Sequence, residues 1–177
     1  MSDNKEIEIR FGFIASSEFS REFYEHAIVT EVAYLMPHEG NKSTTCCRFR
    51  RRNGKCTITC KTSDGENANF VERYEDEFEI SNESFEAYTE KLPVMKFLFY
   101  KDPLGREFKT FDTDTNCLNP KMIVEKEFDS VPDPLEVKKF TDSLLSLGHD
   151  LYDMTDNFKV NMSTRYRKFL ETGSGNE

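Results

Sequence analysis

Residues 46–61 read CCRFRRRNGKCTITCK, and this stretch decides the fold. Asn53-Gly54 stands between two runs that alternate polar and apolar side chains. A two-residue Asn-Gly loop fits a type I′ turn, whose twist matches that of flanking antiparallel strands. Counting outward from the turn pairs Arg50 with Thr57, Arg48 with Thr59 and Cys46 with Lys61 on one face. Phe49 then meets Ile58, and Cys47 meets Cys60, on the opposite face. The stretch predicts a β-hairpin with one basic face and one apolar face, and Arg51 falls on the apolar side.

The same period of two recurs on both sides of the hairpin. Residues 5–13 set Glu6, Glu8 and Arg10 against Ile7, Ile9, Phe11 and Phe13. Residues 72–80 place Arg73, Glu75, Glu77 and Glu79 on one strand face, and residues 122–129 place Glu125 and Glu127 opposite Met122, Val124 and Phe128. Further strands are expected over 29–36, 94–100 and 106–113, the last two joined by a turn at Asp102-Pro103-Leu104-Gly105. Helices are signalled by Ser16 before Phe19, Phe23 and Ala27, and by Ser81 before Phe85, Tyr88 and Leu92, with Pro93 ending the second. Asp133-Pro134-Leu135-Glu136 supplies a cap, an N1 proline and an N3 carboxylate ahead of Phe140, Leu144 and Leu147, with Gly148 read as the stop. A short terminal helix carries Ser163, Tyr166, Phe169 and Leu170. One domain is expected over residues 1–172, followed by a disordered tail at 173–177.

Composition narrows the function classes. The 177 residues are 37% hydrophobic, with 16 Phe and 7 Tyr, yet no apolar run approaches the ~20 residues of a spanning helix. The first residues lack a basic region followed by an apolar stretch, so a cytoplasmic protein with no membrane partner is expected. Five cysteines, an odd number, read as reduced thiols, and their spacing does not follow the paired short intervals of a zinc ribbon. His26, His38 and His149 share no spacing that would make a catalytic pair or a metal cage. The formal net charge of −9 argues against a duplex DNA surface, so a phosphate ligand needs a local basic site.

Strand after strand carries dense charge on one face: Glu6, Glu8 and Arg10; Arg48 and Arg50 with Lys61; Arg73, Glu75 and Glu77; Glu125 and Glu127. Each row alone fits a solvated sheet face. Together they are costly, because aligned like charges repel unless opposite charges face them. Closing the sheet into an antiparallel β-barrel, charged faces inward and apolar faces outward against helices, brings Arg and Lys rows to Glu rows. An α+β fold with a closed barrel and polar interior is therefore expected. An amphipathic helix such as 134–147 is expected over Phe49 and Ile58. Neutralising an interior carboxylate is expected to relieve repulsion. Such an interior suits a polyphosphate bound with Mg²⁺ or Mn²⁺, since bases neutralise phosphate oxygens while carboxylates hold hard cations.

Glu6-Ile-Glu8-Ile-Arg10 resembles the Glu-x-Glu-x-Lys/Arg opening strand of the CYTH proteins, the triphosphate tunnel metalloenzymes. The resemblance continues in order through Arg48-Phe-Arg50, Thr59-Cys-Lys61, Arg73-Tyr-Glu75-Asp-Glu77, Asp112 and Glu125-Lys-Glu127. Ser163-Thr-Arg-Tyr166-Arg-Lys-Phe-Leu170 is similar to the close of the class IV adenylyl cyclase and thiamine triphosphatase branch, and Arg10-Phe-Gly12 to the first strand of RNA 5′-triphosphatases. The chain departs from the family pattern at Lys96-Phe-Leu98 and at Asn116-Cys-Leu-Asn-Pro120. The resemblance implies metal binding by Glu6, Glu8, Asp112, Glu125 and Glu127. It implies a phosphate grip by Arg10, Arg48, Arg50, Lys61 and Arg73, and catalytic roles for Glu75, Glu77 and Lys61.

The resulting expectation is metal-dependent hydrolysis of inorganic triphosphate, a nucleoside triphosphate or an RNA 5′ end, by a monomer or a homodimer. Cyclisation of ATP to cyclic AMP ranks second. A noncatalytic nucleotide or polyphosphate binder ranks third, because six carboxylates exceed what holding an anion requires.

Overall fold

The structure is a computed structural model. It describes residues 5–35, 46–63, 71–155 and 162–173, and within these the side chains of all but residues 5, 6, 63, 71–73 and 162–165. The expected tail beyond residue 173 lies outside the described residues.

The described chain runs β1 (Lys5–Ala15), α1 (Ser17–His26), β2 (Ile28–Leu35), β3 (Cys46–Arg52), β4 (Lys55–Ser63), β5 (Val71–Ile80) and α2 (Asn82–Thr89). It continues through β6 (Met95–Lys101), β7 (Arg106–Thr110), β8 (Lys121–Phe128), α3 (Pro134–Leu145), β9 (Gly148–Asp153) and α4 (Met162–Thr172). The architecture is α+β: a nine-stranded antiparallel sheet ordered β5-β4-β3-β2-β6-β7-β8-β1-β9, with four helices. In addition β5 pairs with the start of β1, Lys5 opposite Tyr74 through Glu8 opposite Val71. Because Ile7 and Glu8 pair with both β5 and β8, these two strands flank opposite edges of β1.

Local chemistry accounts for the elements. Asn53 and Gly54 both have positive φ, 48° and 75°, as a type I′ turn demands. The β3–β4 register then follows the sequence count at every pair from Cys46–Lys61 to Arg52–Lys55. Ser16 caps α1 by accepting from the Phe19 N–H, and Ser81 caps α2 by accepting from the Ser84 N–H. Asp133 and Glu136 form a full capping box on α3, with Pro134 in its first turn.

The apolar strand faces meet the helices. Ile9, Phe11, Phe13, Phe108, Met122 and Val124 pack with Phe19 and Phe23 of α1 and Phe140 and Leu144 of α3. The Phe11 and Phe140 rings stand edge to face, their centroids 5.9 Å apart. Phe49 and Ile58 are covered by a helix, as expected, but it is α2, through Phe85, that supplies the cover in place of α3. Chain order explains the difference, since α2 directly follows β5 and drops onto the neighbouring β3–β4 hairpin.

β9 has no counterpart in the sequence reading. Its sequence, Gly-His-Asp-Leu-Tyr-Asp, does not alternate, and pairing with β1 is what makes it a strand. Gly148 is thereby its first residue and not a helix stop. A Cβ at Gly148 would fall 2.1 Å from the Ile14 carbonyl oxygen, so close backbone approach fixes glycine there. No helix among the described residues is long and apolar enough to cross a membrane.

Leu144→Ala and Phe140→Ala are expected to cost about 2–5 kcal/mol in a denaturant titration, the usual loss for truncating a large buried apolar side chain. Leu145→Ala, whose side chain is 61% exposed, is expected to cost less than about 0.5 kcal/mol.

Candidate functional site

The charged faces come together on the side of the sheet away from α1, α2 and α3. The register sets Arg48, Arg50 and Arg52 of β3 beside Thr59, Thr57 and Lys55 of β4, and Glu77 and Glu79 of β5 beside Thr59 and Thr57. Lys61 pairs with Glu75. The side chains follow that register. Arg50 donates to Glu77 Oε2 at 2.6 Å, Thr59 donates to the same oxygen at 2.9 Å, and Lys61 Nζ pairs with Glu75 Oε2. Arg48 approaches Glu75 at 3.9 Å. Burial opposes the charge of Glu77, but Arg50, the Thr59 hydroxyl and Arg48 hold it below the usual carboxylate range.

A second cluster stands on β1, β8 and β7. Arg10 donates through Nε to Glu125 at 2.7 Å and through a terminal nitrogen to Glu8 at 2.5 Å. Lys109 pairs with the other oxygen of Glu125 and lies 3.8 Å from Glu107, which Lys101 meets at 3.1 Å. Glu8, Arg10, Lys109 and Glu125 are all buried. Two pairs of carboxylates stand directly opposite in register, Glu8 with Glu127 and Glu107 with Glu125. Such like pairs are unfavourable unless cations lie nearby.

Two polar atoms on the basic face are buried without a hydrogen-bond partner among the described residues, Arg48 Nε and Thr57 Oγ1. Such orphans are costly where no ligand or water reaches them. Burial, followed by the neighbouring Arg50, pulls Arg52 down to about 9. Burial and then Arg48 lower Arg50 as well. Arg48 shifts the other way, raised by Tyr34 and Glu75 in spite of its burial, and Arg50 is ion-paired with Glu77, so Arg52 is the member of the row whose charge is least compensated.

The far margin of the same face is apolar. Val32, Tyr34, Met95 and Phe97 pack with Tyr166 and Phe169 of α4, and Ile123 packs with Met154. Gly12 makes room there, since a Cβ would fall 2.6 Å from Met154 Sδ.

Of the residues expected in the site, Glu8, Arg10, Arg48, Arg50, Lys61, Glu75, Glu77 and Glu125 thus gather in the two clusters, and Glu127 enters by register. Glu6 and Arg73 are register partners in the β1–β5 pairing, but their side chains lie outside the described residues. Asp112 is not brought in. It follows β7, accepts from the Asp114 N–H and lies near Tyr24 and Cys117. Arg52, Lys109 and Glu107 were missed, although parity from the turn puts Arg52 in the Arg48 row, and Glu107-Phe108-Lys109 alternates like the other strands. Lys96 faces the other way, 3.0 Å from Glu31, which also accepts from Arg51 at 2.6 Å. On that helix-covered side of the sheet a groove of about 550 Å³ is lined by Arg106, Lys126, Lys139, Phe140 and neighbours, but Arg106 is already held by Asp102 at 2.6 Å.

Removing an interior carboxylate does not simply relieve repulsion, because the carboxylates are ion-paired. Glu125→Ala would leave Arg10 and Lys109 buried without their common partner. A loss of about 3–5 kcal/mol is expected in a denaturant titration, with a smaller loss for Glu125→Gln.

No protein-family model matches the chain, and no curated protein matches it significantly. Solved structures do. The Hippeastrum protein HpAC1, assigned as an adenylyl cyclase and described as having a dominant triphosphatase activity, superposes with a TM-score of 0.52 at 12% identity, over 92% of this chain and 95% of its own. A Bacillus halodurans protein assigned as an adenylate cyclase superposes with a TM-score of 0.51 at 12% identity, over 81% of this chain and 90% of its own. The likeness to both, over most of each chain, is one of fold.

Proposed function

We propose that the protein is a divalent-metal-dependent triphosphatase that holds the triphosphate of inorganic triphosphate, a nucleoside triphosphate or an RNA 5′ end against the Arg48-Arg50-Arg52 row. The observation that carries this reading is the arginine row itself, with Arg52 lowered by burial and with Arg48 Nε and the Thr57 hydroxyl lacking hydrogen-bond partners among the described residues. A phosphate chain supplies acceptors for such donors at a repeat short enough to meet neighbouring residues on one strand face. The pairing of β5 with the start of β1 supports a sheet that closes into a tunnel, bringing the Arg10 cluster round to face the Arg row.

A divalent metal fits the donor set by charge and by donor kind. Lys61, Arg50, Arg10 and Lys109 already have carboxylate partners, so a triphosphate adds negative charge that further cations must offset. The opposed Glu8 and Glu127, with Glu6 beside them in sequence, offer the hard oxygens that Mg²⁺ or Mn²⁺ prefers. Among the described residues no three such side chains form a cage. One or two carboxylates completed by substrate phosphates is the usual way Mg²⁺ is held. When bound, the ion would neutralise phosphate oxygens and polarise the phosphoryl group.

The chain's own residues supply the rest. Arg48, Arg50, Arg52 and Lys61 bind non-bridging oxygens and stabilise the charge that develops on the leaving group. Glu77, held ionised, is too weak a base to take a proton early and acts by orienting water, with Glu75 beside it. The cyclase reading uses the same phosphate grip and differs in the nucleophile, so product analysis separates the two.

With Mg²⁺ or Mn²⁺, incubation with tripolyphosphate, ATP and a 5′-triphosphorylated RNA is expected to release orthophosphate. Cyclic AMP with pyrophosphate would establish the cyclase, and binding without turnover would exclude an enzyme. Arg50→Ala and Lys61→Ala are expected to weaken tripolyphosphate binding by about tenfold or more, the worth of one charge-assisted hydrogen bond. Arg51→Ala, on the outer face with Glu31 and Glu86, is expected to leave binding unchanged. Equal losses in all three variants would count against an inward-facing row.

A further inference from the structure

None of the five cysteines is in a disulfide, and their surroundings differ. Cys56 is buried under α2 and lies 3.1 Å from Asn82 Oδ1, Cys117 lies in the loop with Asp112, and Cys46 shares the charged face as the partner of Lys61. Cys47 and Cys60 are directly opposite each other on the apolar face of the hairpin, with their sulfurs 2.8 Å apart. Both are partly exposed. Residues directly opposite in an antiparallel pair have Cα atoms about 4.5–5.5 Å apart, inside the range a disulfide spans.

We propose that Cys47 and Cys60 form a reversible cross-strand disulfide, a redox modification site built into the hairpin that carries the Arg row. The oxidant is hydrogen peroxide. One thiolate sulfur attacks the peroxide oxygen, the O–O bond breaks, and a sulfenic acid and one water form. The second sulfur then attacks the first, the S–O bond breaks, and a second water leaves with the remaining thiol proton. Two electrons pass from the sulfur pair to the peroxide. A dithiol reverses the step by exchange.

Two features favour this pair. The register is pinned by the Asn53-Gly54 turn on one side and by β2 and β5 on the outer edges, so the two sulfurs do not drift apart. The thiols face each other in the folded chain, so no backbone rearrangement has to precede bond formation. Burial and the neighbouring Cys60 push the Cys47 thiol up to about 11, which makes its thiolate scarce and its oxidation slow. The flanking residues are Arg48 and Lys61, both on the charged face, so the cross-link fastens together the two strands from which the phosphate grip projects. The inference does not depend on the proposed activity, because the disulfide can be read without substrate.

The test treats the purified full chain under native conditions with hydrogen peroxide, then blocks free thiols and maps the peptides by mass spectrometry. The expected result is a fall from five titratable thiols to three, one intrachain Cys47–Cys60 peptide, and full recovery on dithiothreitol. Cys47→Ser and Cys60→Ser are expected each to abolish the cross-link, while Cys46→Ser retains it. A cross-link to Cys46, Cys56 or Cys117, an intermolecular disulfide alone, or five thiols surviving treatment would overturn the proposal. Mapping the unsubstituted protein gives the answer even if a serine variant does not fold.

Discussion

The structure depends on the matching of two signs of charge across one face of a β-sheet. Aligned carboxylates on β1, β5 and β8 could not be buried on their own, nor could the arginines of β3. The sheet resolves this by order: β3 and β4 place Arg48, Arg50 and Lys61 next to Glu75 and Glu77 of β5, and β7 brings Lys109 against Glu125 beside Arg10. With one face committed to ions, the apolar core lies between the other face and three helices. Only the far margin of the charged face is apolar, and α4 covers it.

That inversion links stability to function. In an ordinary sheet the buried face is hydrophobic and tolerates exchange of one apolar residue for another at modest cost. Here the polar face is a set of coupled ion pairs, buried around Glu125 and more open at Glu77, in which the loss of a buried partner leaves another charge stranded. The same coupling leaves the arginine row partly uncompensated, with Arg52 depressed and Arg48 Nε unpartnered among the described residues. A face that is incompletely satisfied by its own residues is prepared for a ligand of opposite charge, and the strands hold its donors in place before that ligand arrives.

Much of this was legible from residue order because period-two alternation and one Asn-Gly turn determine which side chains share a face. The hairpin register could be counted from Asn53-Gly54, and so could the separation of Arg51 from Arg48 and Arg50. Arg52 obeys the same parity and was open to the same count. Three features were not legible for physical reasons. β9 exists through pairing with β1 and not through its own pattern. The helix that covers Phe49 was set by chain connectivity, while the propensities of α2 and α3 suit either place. Asp112 was assigned by its place in a motif order, but the turn after Thr110 directs it toward Tyr24.

A crystal structure of the protein with tripolyphosphate and Mn²⁺ tests most directly whether the ion-paired face is a triphosphate site. Phosphate oxygens are expected within hydrogen-bond distance of Arg48, Arg50 and Thr57, with anomalous signal from Mn²⁺ beside Glu8 and Glu127. Tripolyphosphate lying instead in the outer groove against Arg106, Lys126 and Lys139, with Arg50 still bonded to Glu77 and the inner face empty of anion, would contradict it.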